Sequence, residues 1–269
     1  MNRIIDYENL SIKIQDWIKS YVNENGISTL VVGVSGGIDS AVVSTLCAET
    51  GIPTIVVGMP INSSPENTKL SDLQISLLSA KYDNVEGYYI DLSPVFESFK
   101  SHKAFDKRFN SELGFANTKS RLRMVSLYQI AASVGGIVIG TGNKVEDFGV
   151  GFYTKYGDGG VDISPIADLY KSEVRELGKL LGVPQEIINA EPTDGLWEDN
   201  RVDETQIGST YDELEWAMEY GMNKWSEQLE LTEKEKTILT TYANFNTKNK
   251  HKMVSIPIFD LKENNIVWK

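Results

Sequence analysis

The chain is poor in the residues that build covalent or metal scaffolds. Its 269 residues hold one cysteine, Cys47, and two histidines. One thiol excludes an intrachain disulfide framework, and so few thiol and imidazole ligands argue against a zinc site. Cys47 lies in an apolar helical stretch, where a buried, reduced thiol is expected rather than a nucleophile. Basic residues are scarce too. Lys plus Arg number 26 against 38 Asp plus Glu, a net charge of −12, which argues against a general electrostatic grip on nucleic acid. Anionic ligands must therefore be held by cations placed locally. No apolar run reaches membrane-spanning length and no signal-peptide pattern opens the chain, so a cytoplasmic protein with neither membrane nor nucleic-acid partners is expected. Repeats, low-complexity tracts and Pro/Ser-rich linkers are missing as well. With 41% hydrophobic residues to fill a core, residues 1–269 suit a single domain.

What is present is an alternation of β-branched runs with helical spacings. Ile5, Leu10, Ile14, Trp17, Ile18 and Tyr21 recur near the helical period, which predicts a helix over residues 4–25 closed by Gly26. Strands are predicted over 30–34, 54–59, 85–90 and 137–140. Helices are predicted over 41–48, over 64–80 with Pro65 behind a Ser64 cap, over 120–134, and over 169–181 before Gly182 and Pro184. This order implies an α/β fold: a doubly wound, mostly parallel sheet with helices on both faces, Rossmann-like. In such sheets ligands bind beyond the carboxyl ends of the strands, so the loops after Val34, Met59 and Gly140 should share one crevice. The acidic stretch 197–219 reads either as a loop followed by a helix or as a solvated surface segment.

At the first of those loops, Gly33-Val34-Ser35-Gly36-Gly37-Ile38-Asp39-Ser40 joins an apolar strand to an apolar helix. Glycines without Cβ atoms let the backbone approach an anion, and the helix's free N–H groups and dipole can face it. Ser35 and Ser40 can add hydroxyl donors. Neither G-x-x-x-x-G-K-[ST] nor G-x-G-x-x-G is present. A carboxylate beside phosphate, Asp39, makes sense if it holds Mg²⁺, a hard cation that commonly bridges carboxylates to nucleotide phosphates. The six residues Ser35 to Ser40 resemble the pyrophosphate loop of the ATP pyrophosphatases, the adenine nucleotide alpha hydrolase type of fold, which cleave ATP to AMP and pyrophosphate while activating a substrate as its adenylate.

A second constellation narrows the resemblance. It comprises Gly140-Thr141-Gly142-Asn143-Lys144-Val145-Glu146-Asp147, Gly151-Phe152-Tyr153-Thr154-Lys155-Tyr156-Gly157-Asp158-Gly159-Gly160-Val161-Asp162, Asn117 to Met124, Pro192-Thr193-Asp194-Gly195-Leu196 and His251-Lys252. Together these resemble the NAD synthetase family over nearly the whole chain. The resemblance implies that Gly33, Val34, Ser35, Gly36, Gly37, Ile38, Asp39 and Ser40, with Thr141, Lys171 and Thr193, bind ATP, and that Asp39 and Glu146 bind Mg²⁺. It further implies that Arg121, Lys155, Asp162, His251 and Lys252 hold deamido-NAD⁺, and that the protein is a homodimer. Two departures stand out. The spacing from Glu146 to Lys155 is one residue longer than the commonest bacterial pattern, which leaves Asp147 as an alternative metal ligand, and Met253 replaces a frequent arginine. Arg121 and Arg123 lie two apart on a helix, so at most one faces the crevice; Arg121 is the expected one.

The chemistry can be argued from the reactants. A carboxylate is anionic and lacks a leaving group, so amide formation needs prior activation. Adenylation supplies it, with Asp39 and Lys171 as catalytic residues and Asp162 either a general base or a hydrogen-bonding partner of the substrate. Without a recognisable glutaminase domain, free ammonia is the expected nitrogen donor. Taken alone, Lys155, Lys171 and His251 are of common surface types, and only the motif context lifts them. Other ATP pyrophosphatases, such as a GMP synthetase or a tRNA-modifying enzyme, share the loop but not the rest. A non-catalytic nucleotide sensor would not need both carboxylates.

Overall fold

Four short strands form the sheet of the computed structural model, which describes residues 3–105, 108–193, 195–197, 199 and 201–261. Asp194 of the 192–196 motif, and residues 198 and 200 of the acidic stretch, lie outside the described residues. The strands are β1 (Thr29–Gly33), β2 (Thr54–Gly58), β3 (Val85–Tyr89) and β4 (Gly136–Val138), all parallel in the order β3-β2-β1-β4. Leu30 pairs with Thr54 on one side and Ile137 on the other, and Ile139 bridges to Ile163 beyond β4. The chain steps outward from β1 to β3, then returns to the opposite side of β1. The order reverses between β1 and β4, and that reversal opens a crevice at their carboxyl ends.

Successive strand residues point to opposite faces. Leu30 and Val32 join one core, in which they meet Ile14, Ile18 and Val22 of α1 (Tyr7–Asn25), Leu46 of α2 (Ile38–Glu49) and Leu78 of α3 (Pro65–Lys81). Val31 and Val57 join the other, with Phe96 of α4 (Ser93–Lys100) and Phe115 and Ala131 of α5 (Glu112–Val134). Leu177 of α6 (Lys171–Leu180) and Ile187 of α7 (Gln185–Ile188) belong to the first. Helices therefore cover both faces, as expected for a doubly wound sheet. Cys47 is fully buried, and that burial pushes its thiol pKa up. Among the described residues, no helix is long and apolar enough to cross a membrane.

Local chemistry sets the helix ends. Ser64 accepts from Asn67 N with Pro65 opening α3, and Asp6 and Gly26 close the two ends of α1. Helix α5 starts at Glu112 rather than at residue 120, because Ser111 caps Gly114 N and Phe115 and Ala116 are buried. Beyond α7 the chain builds α8 (Asp203–Ile207), α9 (Tyr211–Trp216), α10 (Met222–Ser226) and α11 (Glu233–Met253). Ile207, Tyr211, Leu214 and Ala217 pack with Val145, Val150, Ile238, Leu239 and Tyr242 as a third core. The described part of the acidic stretch is thus not a solvated surface segment: Ile207, Tyr211, Leu214 and Ala217 are buried, and so are two of its acids, Asp203 and Glu215. Sequence periodicity did not show α11, whose apolar residues are few, although Thr232 and Glu235 form a capping box at its start.

Candidate active site

Strand β1 delivers Val34 to the loop, and Gly37 caps α2 without using a side chain. The first N–H groups of α2 are therefore not consumed by a capping side chain and can serve an anion. Gly36 has φ 92°, and a Cβ there would lie 2.8 Å from Asn67 O and 3.0 Å from Ser71 N, both backbone atoms of α3. Only glycine fits. Ser71 Oγ donates to Val34 O at 2.7 Å, fixing the loop to α3 from the other side. The two loop serines brace the turn internally: Ser40 Oγ donates to Gly37 O at 3.0 Å, and Gly37 N donates to Ser35 Oγ at 3.2 Å.

Asp39 stands in the first turn of α2, where the helix dipole favours a carboxylate. Lys171, the first residue of α6, hydrogen-bonds Asp39 Oδ2 and reaches Glu146 Oε1 at 3.1 Å. Asn143 ties the pair together, with its Nδ2 donating to Asp39 Oδ1 at 3.3 Å and its Oδ1 accepting from Glu146 N at 3.2 Å. Tyr211 donates its phenol O–H to Glu146 Oε1. Burial raises the pKa of Asp39, opposed by Lys171. At Glu146 burial also pushes upward, but Lys171 and the hydrogen bonds from Tyr211 and Asn143 outweigh it and the pKa is lowered. The Lys171 ammonium resists burial and is held charged by Asp39 and Glu146. Two hard carboxylates converging on one cation are a suitable donor set for Mg²⁺ with phosphate oxygens.

Glu146 lies in a π-helical turn, Val145–Val150, closed by Gly151 in the left-handed region. The two neighbouring acids of this turn face different groups: Glu146 meets Asp39 through Lys171, whereas the Asp147 carboxylate lies against Gly142, where a Cβ would meet it at 2.2 Å. Burial, then the charges of Glu146, Asp158 and Asp39, push Asp147 up to about 8.

Loop and carboxylates line one crevice of ≈ 280 Å³, which also takes in Thr141, Thr193, Phe152, Tyr153 and Asp203. The residues expected to bind ATP are therefore brought together. Those expected to hold the dinucleotide are not on its wall. Arg121 donates to Lys155 O at 3.3 Å, Lys155 Nζ to His251 O at 2.9 Å, and Lys252 Nζ to Gly151 O and Tyr153 O at 2.7 and 2.8 Å. These four form a basic group around the 151–156 loop. Asp162 lies apart, accepting from Val138 N at 2.7 Å and Tyr128 O–H at 3.1 Å. Arg121 and Arg123 do point different ways, but the arginine on the crevice wall is Arg123, which donates to Met59 O at 2.9 Å, because the Arg121 face of α5 turns toward Lys155. Tyr211 and Asp203 had no local signal in the sequence, since they sit in the stretch read for its acidity. Asn143 lies within the Gly140–Asp147 motif, but nothing local in the sequence marks its amide as bridging Asp39 and Glu146.

With this geometry in hand, the profile of the family described as NAD synthase matches residues 10–255. The chain belongs to the NAD synthase family. An NH(3)-dependent NAD(+) synthetase of Mesoplasma florum is 42% identical over 202 residues, covering 74% of this chain and 80% of that protein. One from Sulfurisphaera tokodaii is 33% identical over 262 residues, covering 96% and 90%. The structure of NMN synthetase from Francisella tularensis superposes with a TM-score of 0.81 at 30% identity, covering 96% of this chain and all of that one. Family membership makes the protein an ATP-binding ligase of NAD biosynthesis with a pyrophosphate loop.

Proposed function

We propose that the chain converts deamido-NAD⁺ to NAD⁺ with ammonia, cleaving ATP to AMP and pyrophosphate by way of a nicotinyl adenylate. The observation that carries this reading is the convergence of the Ser35–Ser40 loop, Asp39, Glu146 and Lys171 on one crevice in a member of this family. The relatives named NH(3)-dependent NAD(+) synthetase support ammonia as the donor. The nicotinate carboxylate oxygen attacks the α-phosphorus of ATP, and pyrophosphate leaves toward the glycine loop. Ammonia then attacks the carbonyl carbon of the adenylate, AMP departs and the nitrogen sheds its extra proton. Asp39 and Glu146 would hold Mg²⁺, whose charge offsets that developing on the phosphates. Lys171 supplies a further positive charge, and the loop's N–H groups orient the triphosphate. Arg121, Lys155, His251 and Lys252 offer the dinucleotide a local basic surface on an otherwise acidic protein. A homodimer in the cytoplasm belongs to the same reading.

The likeness to the NMN synthetase favours a second reading, in which the acid is the smaller nicotinate mononucleotide. The test is one assay: ATP, Mg²⁺ and ammonium with either acid, following AMP, pyrophosphate and amidated product together. Equal yields of the three with deamido-NAD⁺ support the first reading, and turnover confined to the mononucleotide replaces it with the second. Glutamine matching ammonium as sole donor would overturn the ammonia assignment.

A further inference from the structure

Lys171 is a poorly placed lysine unless something holds it. It opens α6, where the positive end of the helix dipole disfavours a cation, and its side chain is only 5% exposed. What holds it is the carboxylate pair: Asp39 Oδ2 and Glu146 Oε1 both accept from the ammonium, and the Tyr211 ring lies 4.8 Å away on another side. Those carboxylate groups are the ones a divalent cation would use. A monovalent and a divalent cation compete for them, because like charges at contact distance repel strongly where the carboxylates are this deeply buried.

We propose that the Lys171 ammonium and the divalent ion are alternative occupants of one carboxylate pair, so that the metal enters only when a polyphosphate draws Lys171 away. The proposal rests on the reading of Asp39 and Glu146 as metal-holding groups. Lys171, Gly36 and Gly37 line the same crevice. Phosphate brought to the glycine loop therefore offers the ammonium a second set of anionic oxygens, and charge-assisted bonds to phosphate are strong enough to compete with those to carboxylate. The free metal competes with an intramolecular cation already in place, while bound nucleotide removes that competitor. Nucleotide and metal then bind with a positive coupling that passes through a single side chain.

The test uses Mn²⁺ as the probe, with the free ion counted by electron paramagnetic resonance in the presence of the full chain. Without nucleotide, Lys171→Met and Lys171→Gln are expected to bind Mn²⁺ about tenfold more tightly than the unsubstituted protein, and the nucleotide–metal coupling should shrink by the same factor. In the unsubstituted protein, Mn²⁺ alone should leave the thermal midpoint unchanged, whereas Mn²⁺ with a non-hydrolysable ATP analogue should raise it. That second measurement does not depend on the variants folding. Equal Mn²⁺ affinity in the variants and the unsubstituted chain, or a raised midpoint with Mn²⁺ alone, overturns the proposal and leaves the metal site standing. No Mn²⁺ binding under any condition overturns the metal reading of the two carboxylates as well.

Discussion

Tyr211 hydrogen-bonds Glu146 across 65 residues of sequence, so a phenol of α9 fixes a carboxylate of the π-helical turn. The same hydroxyl lies 3.3 Å from Asp203 Oδ2. Tyr211→Phe keeps the ring under Lys171 and deletes only the donor. We expect a stability loss of about 1.5–3 kcal/mol, the range for a hydrogen bond to a charged group. The Mg²⁺ concentration for half-maximal activity should rise about tenfold, as for a residue that orients a metal-holding carboxylate. Thermal unfolding and a Mg²⁺ titration of turnover check the two parts, and an unchanged Mg²⁺ requirement would remove Tyr211 from the site.

Gly36→Ala places a methyl group against the α3 backbone in a positive-φ position. The cost should be about 1–3 kcal/mol, and the loop must move to admit it. Calorimetry with a non-hydrolysable ATP analogue is expected to show nucleotide binding lost before the fold is. Wild-type affinity in this variant would mean that the loop tolerates a different backbone path.

Ser120 Oγ both donates to Asp158 Oδ1 at 2.6 Å and accepts from Asp158 N at 2.9 Å, joining α5 to the loop that follows Thr154. Burial raises the Asp158 pKa, against the hydrogen bonds from Ser120 and Thr154. Ser120→Ala leaves that buried carboxylate with fewer donors. Chemical denaturation should report about 1–3 kcal/mol of lost stability, with the slope against denaturant unchanged.

Burial, with the Asp162 charge beside it, pushes the Tyr128 phenol up to about 12. The unfolded chain releases this proton near 10, so between the two values the folded protein binds more protons and its stability falls as pH rises. Tyr128→Phe should flatten that alkaline fall. It should also remove one late-titrating phenol from the ultraviolet difference spectrum. An unaltered alkaline profile would place Tyr128 in solvent.

The sheet was legible because β-branched runs and caps are local signals. Leu30 to Val34 alternate between two cores, and the Ser64 cap with Pro65 behind it opens α3. The loop from Ser35 to Ser40 was legible for the same reason, since its glycines announce a backbone requirement that the φ of Gly36 bears out. The clasp on Glu146 was not. Tyr211 is an ordinary aromatic in a run of acids, and only tertiary packing carries it to the π-helical turn. Likewise, the π-helical form of the turn that carries Glu146 depends on what Val145 and Val150 pack against. Arg121 and Arg123 illustrate the limit of periodicity: it separates their directions without saying which of the two enters the crevice.

The two carboxylates that meet at Lys171 are mounted on different packing units. Asp39 rides on α2, whose apolar side is anchored in a sheet core, while Glu146 rides on the π-helical turn, whose Val145 and Val150 are anchored in the third core with α9 and α11. The chemistry is thereby made to witness its own assembly: the charges stand face to face only when the helical module has docked against the sheet. Loss of the packing of Val145 and Val150 in the third core would separate Glu146 from Asp39 and Lys171.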